Sequence, residues 1–130
     1  MLKFALAVLV MLPQAPRWKE IGKTGTGNTV YADTRTIRAG KDGIISATVR
    51  VVYAKAVNVP GKGELTASRA SAMFNCAAST IAVRRSTLFF DEKSNRVYQD
   101  KVNKIPGYGP TIGGSYGDVA LKYFCRKPAD

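Results

Sequence analysis

The sequence contains no histidine, and its 130 residues include only two cysteines, one tryptophan and nine acids. Catalysis by Ser-His or Cys-His pairs and most zinc sites need an imidazole, so these classes are excluded. Only Asp91 and Glu92 are adjacent acids. Neighbouring strand residues point to opposite faces, so this pair does not suit a glycosidase, and we expect solvated charges in a turn. We therefore predict no catalytic site, no metal and no cofactor.

The sequence also lacks an apolar run of the roughly 20 residues that a helix needs to cross a bilayer. A shorter apolar run at 4–12 follows Lys3 and precedes Pro13. A positive start before an apolar segment of this length is typical of a secretory signal peptide. We predict a signal peptide at 1–15 and one exported domain at 16–130, without a lipid-attachment cysteine or stable membrane insertion. A buried N-terminal strand or helix is the alternative.

The two cysteines are Cys76 and Cys125. Export would place them in an oxidising compartment, where such a pair forms a disulfide. The bond would close a loop of about 50 residues, for which the chain-entropy model gives about 4 kcal/mol of stabilisation. Two free buried thiols in a cytosolic protein are the alternative.

Positive charge dominates, since 20 lysines and arginines outnumber nine acids and the net charge is +11. The basic residues are spread along the chain rather than gathered in a tail. A field of this sign favours polyanionic partners such as acidic proteins or sulfated glycans. Export argues against nucleic acid as the partner, and an ordinary solvated basic surface is the alternative.

Short segments rich in β-branched and aromatic residues alternate with clusters of glycine, proline and asparagine. This pattern is typical of antiparallel strands joined by turns. The predicted strands are 18–22, 29–33, 45–53, 67–76, 79–90 and 96–102, and the predicted turns are 23–28, 38–43, 60–63 and 91–95. The strand at 45–53 alternates most clearly, with Ile45, Val49 and Tyr53 on one face and Thr48 and Arg50 on the other.

A helix is predicted at the C-terminal end. Ser115 and Asp118 have the spacing of an N-terminal helix cap. At about 100° per residue, Asp118, Lys122 and Arg126 share one narrow stripe and apolar residues fill the remaining arc. We expect a mostly buried helix with Cys125 in its last turn, so that a bond to Cys76 would tie it to the sheet. We expect the glycine-rich segment 107–114 to be a flexible lead-in to this helix.

Several short motifs resemble the surface-adhesin protein E family of Gram-negative bacteria. The motifs are Trp18-x-x-x-Gly22, Val30-Tyr31-Ala32-Asp33, Ile37, Gly40, Cys76, Phe89-Phe90-Asp91, Gly114-Ser115-x-Gly117-Asp118 and Leu121-x-x-x-Cys125. The resemblance implies an α+β fold: an antiparallel sheet of about six strands, with a C-terminal helix tethered to one face by a disulfide. It also implies adhesion to host matrix or plasma proteins. We expect a periplasmic, surface-exposed or secreted protein of a Gram-negative bacterium.

Six basic residues are the candidate contact residues: Arg84, Arg85, Lys101, Lys104, Lys122 and Arg126. Arg84 and Arg85 are adjacent on a predicted strand, so at least one should point outward. Because 96–102 should pair with 79–90, we expect the basic residues to form a patch that binds an acidic protein or glycan, for example a host matrix protein. A homodimer remains open.

Two other functions stay open. The first is haem binding, because tyrosine ligates haem iron in some proteins. The candidate ligands are Tyr53, Tyr98, Tyr108 and Tyr116, although tyrosines at such positions are mostly core residues. The second is docking onto another envelope protein through a sheet edge, as an inhibitor or accessory factor.

Overall fold

The computed structural model describes residues 16–126. The predicted signal peptide at 1–15 lies outside this range, as do residues 127–130. The elements are β1 (Trp18–Lys23), β2 (Thr29–Asp33), β3 (Arg38–Ala39), a 3-10 turn (Lys41–Gly43), β4 (Ile44–Val59), β5 (Gly63–Asn75), β6 (Thr80–Asp91), β7 (Arg96–Val102), β8 (Gly109–Pro110) and α1 (Tyr116–Phe124). No helix in the described range is long and apolar enough to cross a membrane.

The strands form one antiparallel sheet in the order β1-β2-β4-β5-β6-β7. The short β3 pairs with β4 and the short β8 pairs with β6. The predicted α+β architecture, with about six strands and a C-terminal helix, is therefore confirmed. Several bounds differ: β4 continues to Val59 and β5 begins at Gly63, where we predicted strands at 45–53 and 67–76. Part of the predicted turn at 38–43 forms β3, and part of the glycine-rich segment forms β8.

The core lies between α1 and one face of the sheet, which we call the helix face. Val49 on β4 pairs with Ala70 on β5, and both are buried beneath the helix. Phe74, one of the largest fully buried side chains, packs its ring 4.9 Å from the ring of Phe124. The alternation at 45–53 predicts this arrangement, because a strand with one buried face repeats every two residues.

Two glycines allow α1 to lie close to the sheet. A Cβ atom at Gly22 on β1 would be 2.8 Å from Cγ1 of Val119. A Cβ atom at Gly117, in the first turn of α1, would be 2.7 Å from Cδ1 of Ile81. Both distances are shorter than side chains tolerate without movement, so these motif glycines serve helix–sheet packing.

The helix begins as predicted at a Ser115 cap, whose Oγ accepts a hydrogen bond from the Asp118 backbone N–H at 3.3 Å. The Asp118 carboxylate accepts bonds from the Gly114 N–H at 3.0 Å and from Lys122 Nζ at 3.1 Å. The Gly114 bond, helped by Lys122, lowers the pKa of Asp118 below its ordinary value. This carboxylate therefore joins the loop to the first helical turn.

The helix ends at Phe124, before the Arg126 that we placed on its charged stripe. Cys125 caps it with non-helical backbone angles, φ −100° and ψ 12°. Arg126 therefore does not continue the stripe of Asp118 and Lys122, and its guanidinium carbon lies 4.1 Å from the centre of the Tyr123 ring instead. The cation–π contact explains its position at the helix end.

Cys76 and Cys125 form the predicted disulfide, with Cα atoms 5.2 Å apart. Cys76 follows the last residue of β5 directly, so the bond joins the end of a central strand to the end of α1. The helix is thus anchored at its start by the Asp118 hydrogen bonds and at its end by a covalent bond.

Candidate binding surface

The sheet face opposite the helix carries a different set of side chains, and we call it the arginine face. Cross-strand pairing places Tyr31, Arg50, Arg69, Thr87 and Asp100 in one row across five strands. Directly paired residues share a face, so this polar and charged row lies on the side away from the core. Arg50 and Arg69 are not among the contact residues predicted from the sequence.

Glu92 holds this row of arginines in place. One carboxylate oxygen accepts a hydrogen bond from Arg50 Nε at 2.7 Å, and the other accepts one from Arg69 Nε at 2.9 Å. The Glu92 side chain is only 10% exposed. Our expectation of a solvated charge is therefore wrong for Glu92, because the β6–β7 turn folds over β4 and β5. Asp91 does stay exposed, where it caps the same turn through the Lys93 N–H.

Trp18, the single tryptophan of the chain, lies among three arginines. The guanidinium carbons of Arg69, Arg17 and Arg50 are 5.1, 5.2 and 5.9 Å from its ring centre. Each is within the distance of a cation–π contact. Arg17 also pairs at 3.1 Å with Asp33, a carboxylate that is 1% exposed. This corner therefore places three guanidinium groups around one aromatic ring.

A β-bulge brings Arg84 and Arg85 to the surface together. Ser71 pairs with Arg85 and the next residue of β5 pairs with Val83, so Arg84 is an extra residue in β6. Both arginines are exposed. Arg85 donates from Nε to Asp100 Oδ1 at 2.9 Å; this contact raises the pKa of Arg85 and lowers that of Asp100. A bulge commonly redirects a side chain in this way.

Two neighbouring hollows lie on the arginine face, and we call them together the arginine groove. The first, of about 340 Å³, is lined by Arg69, Arg85, Thr87 and Asp100 among others. The second, of about 250 Å³, is lined by Arg38, Arg84, Thr36 and Ser46 among others. The hollows meet at Thr48 and Ser71, whose hydroxyl oxygens are 3.0 Å apart. Four arginines and one carboxylate line the groove.

Arg38 and Arg84 are the most available cations of this groove. Within residues 16–126, neither forms an ion pair with a carboxylate. Arg38 uses one nitrogen to contact the backbone oxygens of Arg35 and Ile37, which fixes the direction of its side chain. The groove therefore combines immobilised arginines with two guanidiniums free to contact a ligand.

The other predicted contact residues do not lie in this groove. Lys101 pairs with Ser86, which belongs to the helix face, whereas Arg85 pairs with Val102. Lys101 and Arg85 therefore point to opposite sides of the sheet. Lys104 follows β7 in an exposed segment, and Lys122 is engaged by Asp118. The expectation of one patch is corrected by strand register: Arg84 and Arg85 lie together, and the other four residues are elsewhere.

The four tyrosines considered as haem ligands do not converge. Tyr53 and Tyr116 line a groove on the helix face. Tyr98 packs its ring 5.4 Å from that of Phe90, and the Tyr108 hydroxyl contacts the sulfur of Met73. Among the described residues, no group of three or more His, Cys, Asp or Glu side chains is arranged to hold a metal ion.

The family model of surface-adhesin protein E matches residues 18–126. The chain belongs to this family. The match covers the whole sheet, the helix and both cysteines. The family's name identifies an adhesin of the cell surface. No curated protein sequence matches the chain.

Solved structures of one family member share the fold. Crystal form II of Haemophilus influenzae protein E aligns with a TM-score of 0.56 at 13% identity, over 87% of this chain and 90% of that one. The selenomethionine form gives a TM-score of 0.55 at 13% identity, over 87% and 88%. A third structure of that protein gives 0.53 at 12% identity, over 90% and 92%. At such identities the likeness establishes the fold.

Proposed function

We propose that this family member is an exported, non-catalytic binding protein of a Gram-negative bacterium that holds an acidic partner in the arginine groove. The observation that carries this proposal is the groove itself: its two neighbouring hollows bring together four arginines and several hydroxyl groups on one face of the sheet. The partner is an acidic protein or a glycan, and a host matrix protein fits the adhesin family. The protein would act at the cell surface or in the periplasm.

The chemistry of the groove suits sulfate and carboxylate groups. A guanidinium presents several N–H donors in a planar fork that matches the oxygens of these anions. The hydroxyl groups of Thr48, Ser71 and Thr87 supply neutral hydrogen-bonding groups between the arginines. Such an arrangement favours a chain of alternating anionic and hydroxyl groups, as in a sulfated glycan or an acidic peptide.

The paired arginines contribute by keeping the surface rigid. Glu92 orders Arg69, which lines the groove, and Arg50 beside it, so these side chains lose less freedom when a ligand binds. Binding costs less when the contact groups are already ordered. Glu92 does not cancel the field completely, because one carboxylate faces two guanidiniums.

Heparin binding tests the proposal with a matched pair of double variants. Replacing Arg38 and Arg84 by glutamate should weaken binding of the mature protein by about tenfold or more, since each exposed contact is worth about 0.2–1 kcal/mol and reversal adds repulsion. Replacing Lys101 and Lys104 by glutamate changes the net charge equally, but away from the groove. Equal losses in the two double variants would contradict a defined site.

Docking through the sheet edge is the second candidate. β7 lies at one end of the strand order, and all seven of its residues are exposed. Unpaired backbone groups on such a strand can pair with a strand of another protein. Pull-downs with the mature protein from periplasmic extract and from host matrix distinguish this function from adhesion. Cell fractionation of the mature protein decides between periplasm and surface.

A further inference from the structure

A separate groove of about 440 Å³ lies on the helix face, beside the start of α1. Its floor consists of Val51, Tyr53, Ser68, Ala70, Ser86 and Leu88. Its walls are the β1–β2 turn and the segment that leads into the helix, and the Gly25 N–H donates to the Gly114 oxygen at 2.9 Å between them. The volume lies in the range of about 300–1,000 Å³ that small-molecule sites occupy.

The chemistry of this groove differs from that of the arginine groove. None of its lining residues is charged, and its polar side chains are hydroxyl groups and one amide. Tyr53 and Tyr116 both line it, and burial together with the nearby Tyr53 raises the pKa of Tyr116. Its phenol therefore stays neutral at physiological pH. An apolar floor with neutral hydroxyl groups suits an alkyl chain better than a polyanion.

A lysine on the neighbouring strand lies next to this floor. Lys101 on β7 pairs directly with Ser86 on β6, so the two side chains are neighbours on the helix face. Lys101 is exposed and forms no ion pair within the described range. No carboxylate among the described residues lines the groove to compete for it. Ala70 on β5 pairs with Ser86, and Ser86 pairs with Lys101 on β7, so Ala70 and Lys101 are two strand spacings, or about 10 Å, apart.

We propose that this groove binds a medium-length fatty acid, with the acyl chain across Leu88 and Ala70 and the carboxylate at Lys101. The uncharged lining of the groove, the apolar side chains of its floor and the lysine beside Ser86 carry this assignment. It gives Lys101 a role apart from the acidic partner, because the two grooves lie on opposite faces of the sheet.

Calorimetric titration of the mature protein with decanoate, below its micelle concentration, tests the proposal. Saturable binding of one decanoate per chain is expected. Replacing Ser86 by leucine fills the floor and should abolish binding, while the melting temperature shows that the variant is folded. Ser68→Leu provides a second filled groove in case Ser86→Leu does not fold.

Lys101→Gln tests the position of the carboxylate. It should weaken decanoate binding about twofold to fivefold, the worth of one exposed ion pair, and leave decanol binding unchanged. Lys104→Gln, which removes a nearby charge outside the groove, should change neither. Absence of saturable binding, undiminished binding in the filled variants, or binding only to anionic phospholipid vesicles would overturn the proposal. If Lys101→Gln bound decanoate as tightly as the unchanged protein does, the placement of the carboxylate would be wrong.

Discussion

The two faces of the sheet are built from alternate residues of the same strands, yet they differ in what holds them together. On the helix face, Val49, Ala70 and Phe74 are buried beneath α1. On the arginine face, the neighbouring residues Thr48 and Arg69 remain partly exposed and are ordered by ion pairs and hydrogen bonds. The helix face therefore holds the main apolar cluster, whereas the arginine face presents charge around a few buried apolar side chains such as Ala67 and Phe89.

The difference shows how a strongly basic domain keeps a stable core. Buried charges are costly unless they are paired, and here the cations lie outside the apolar layer. Of the carboxylates on the arginine face, Asp33 and Glu92 are the most buried, and each is paired with arginine. Substitutions on the helix face should thus affect folding, and most of those in the arginine groove should affect binding alone.

The largest effect is expected at Phe74. Replacing Phe74 by alanine should lower the free energy of unfolding by about 3–5 kcal/mol, because it removes a fully buried ring that packs on Phe124. Met73→Ala, on the other face of the same strand and only half-buried, should cost clearly less. Denaturant unfolding measures both. Equal losses would contradict the contrast between the faces.

Loss of the disulfide should have the second-largest effect on stability. Replacing Cys76 and Cys125 together by alanine should lower stability by about 2–5 kcal/mol, since the bond anchors the end of α1 and constrains the unfolded chain. Heparin binding, measured at a temperature where the variant remains folded, should persist because the arginine groove does not contact α1. Loss of heparin binding in the folded variant would show that the two faces are coupled. Mass spectrometry with and without reductant shows whether the exported protein carries the bond.

A smaller effect is expected at Glu92. Replacing Glu92 by glutamine should cost about 1–3 kcal/mol, because two hydrogen-bonded arginines lose a largely buried partner. Glu64→Gln, which removes an exposed acid, should change stability by less than about 0.5 kcal/mol. Heparin affinity should not fall in Glu92→Gln, because the loss of a negative charge offsets the lost ordering of Arg50 and Arg69. A loss of affinity would indicate that the order of Arg50 and Arg69 matters more than their charge.

The smallest effect concerns pH and the start of the helix. The pKa of Asp118 is lowered in the folded state, mainly by the Gly114 N–H and also by Lys122. A carboxylate whose pKa is lower in the folded state stabilises the protein at pH values above its unfolded-state pKa of about 3.9. That contribution is lost as the pH falls through the folded-state pKa. Stability should therefore decline at acidic pH, and Asp118→Asn should show a shallower decline. Parallel curves for the two proteins would contradict this role.

Much of the fold follows from local patterns. Alternation at 45–53, the glycine and proline clusters and the Ser115 cap predict the strands and the start of the helix. The burial of Glu92 could not be predicted, because it depends on how a distant turn folds over β4 and β5. The joint exposure of Arg84 and Arg85 depends on a bulge defined by the partner strand. The position of Lys101 on the helix face likewise follows only from register.

The arginine groove illustrates the same limit. Arg50 and Arg69 lie on the polar sides of predicted strands, so the sequence predicts that they face away from the core. Their pairing through Glu92, and the approach of Arg38 to Arg84, join residues far apart in the chain. Consecutive basic residues are easily seen in a sequence, whereas a surface assembled from five strands can be predicted only when the strand register is known.

Mapping a bound heparin oligosaccharide by backbone amide chemical shifts tests the central claim most directly, namely that the two faces have separate tasks. The account predicts that the shifts concentrate at Arg38, Arg69, Arg84 and Arg85 and in the strands that carry them, while α1 and Lys101 are unaffected. Shifts centred on Lys101, Lys122 and Arg126, or spread evenly over all basic residues, would contradict it.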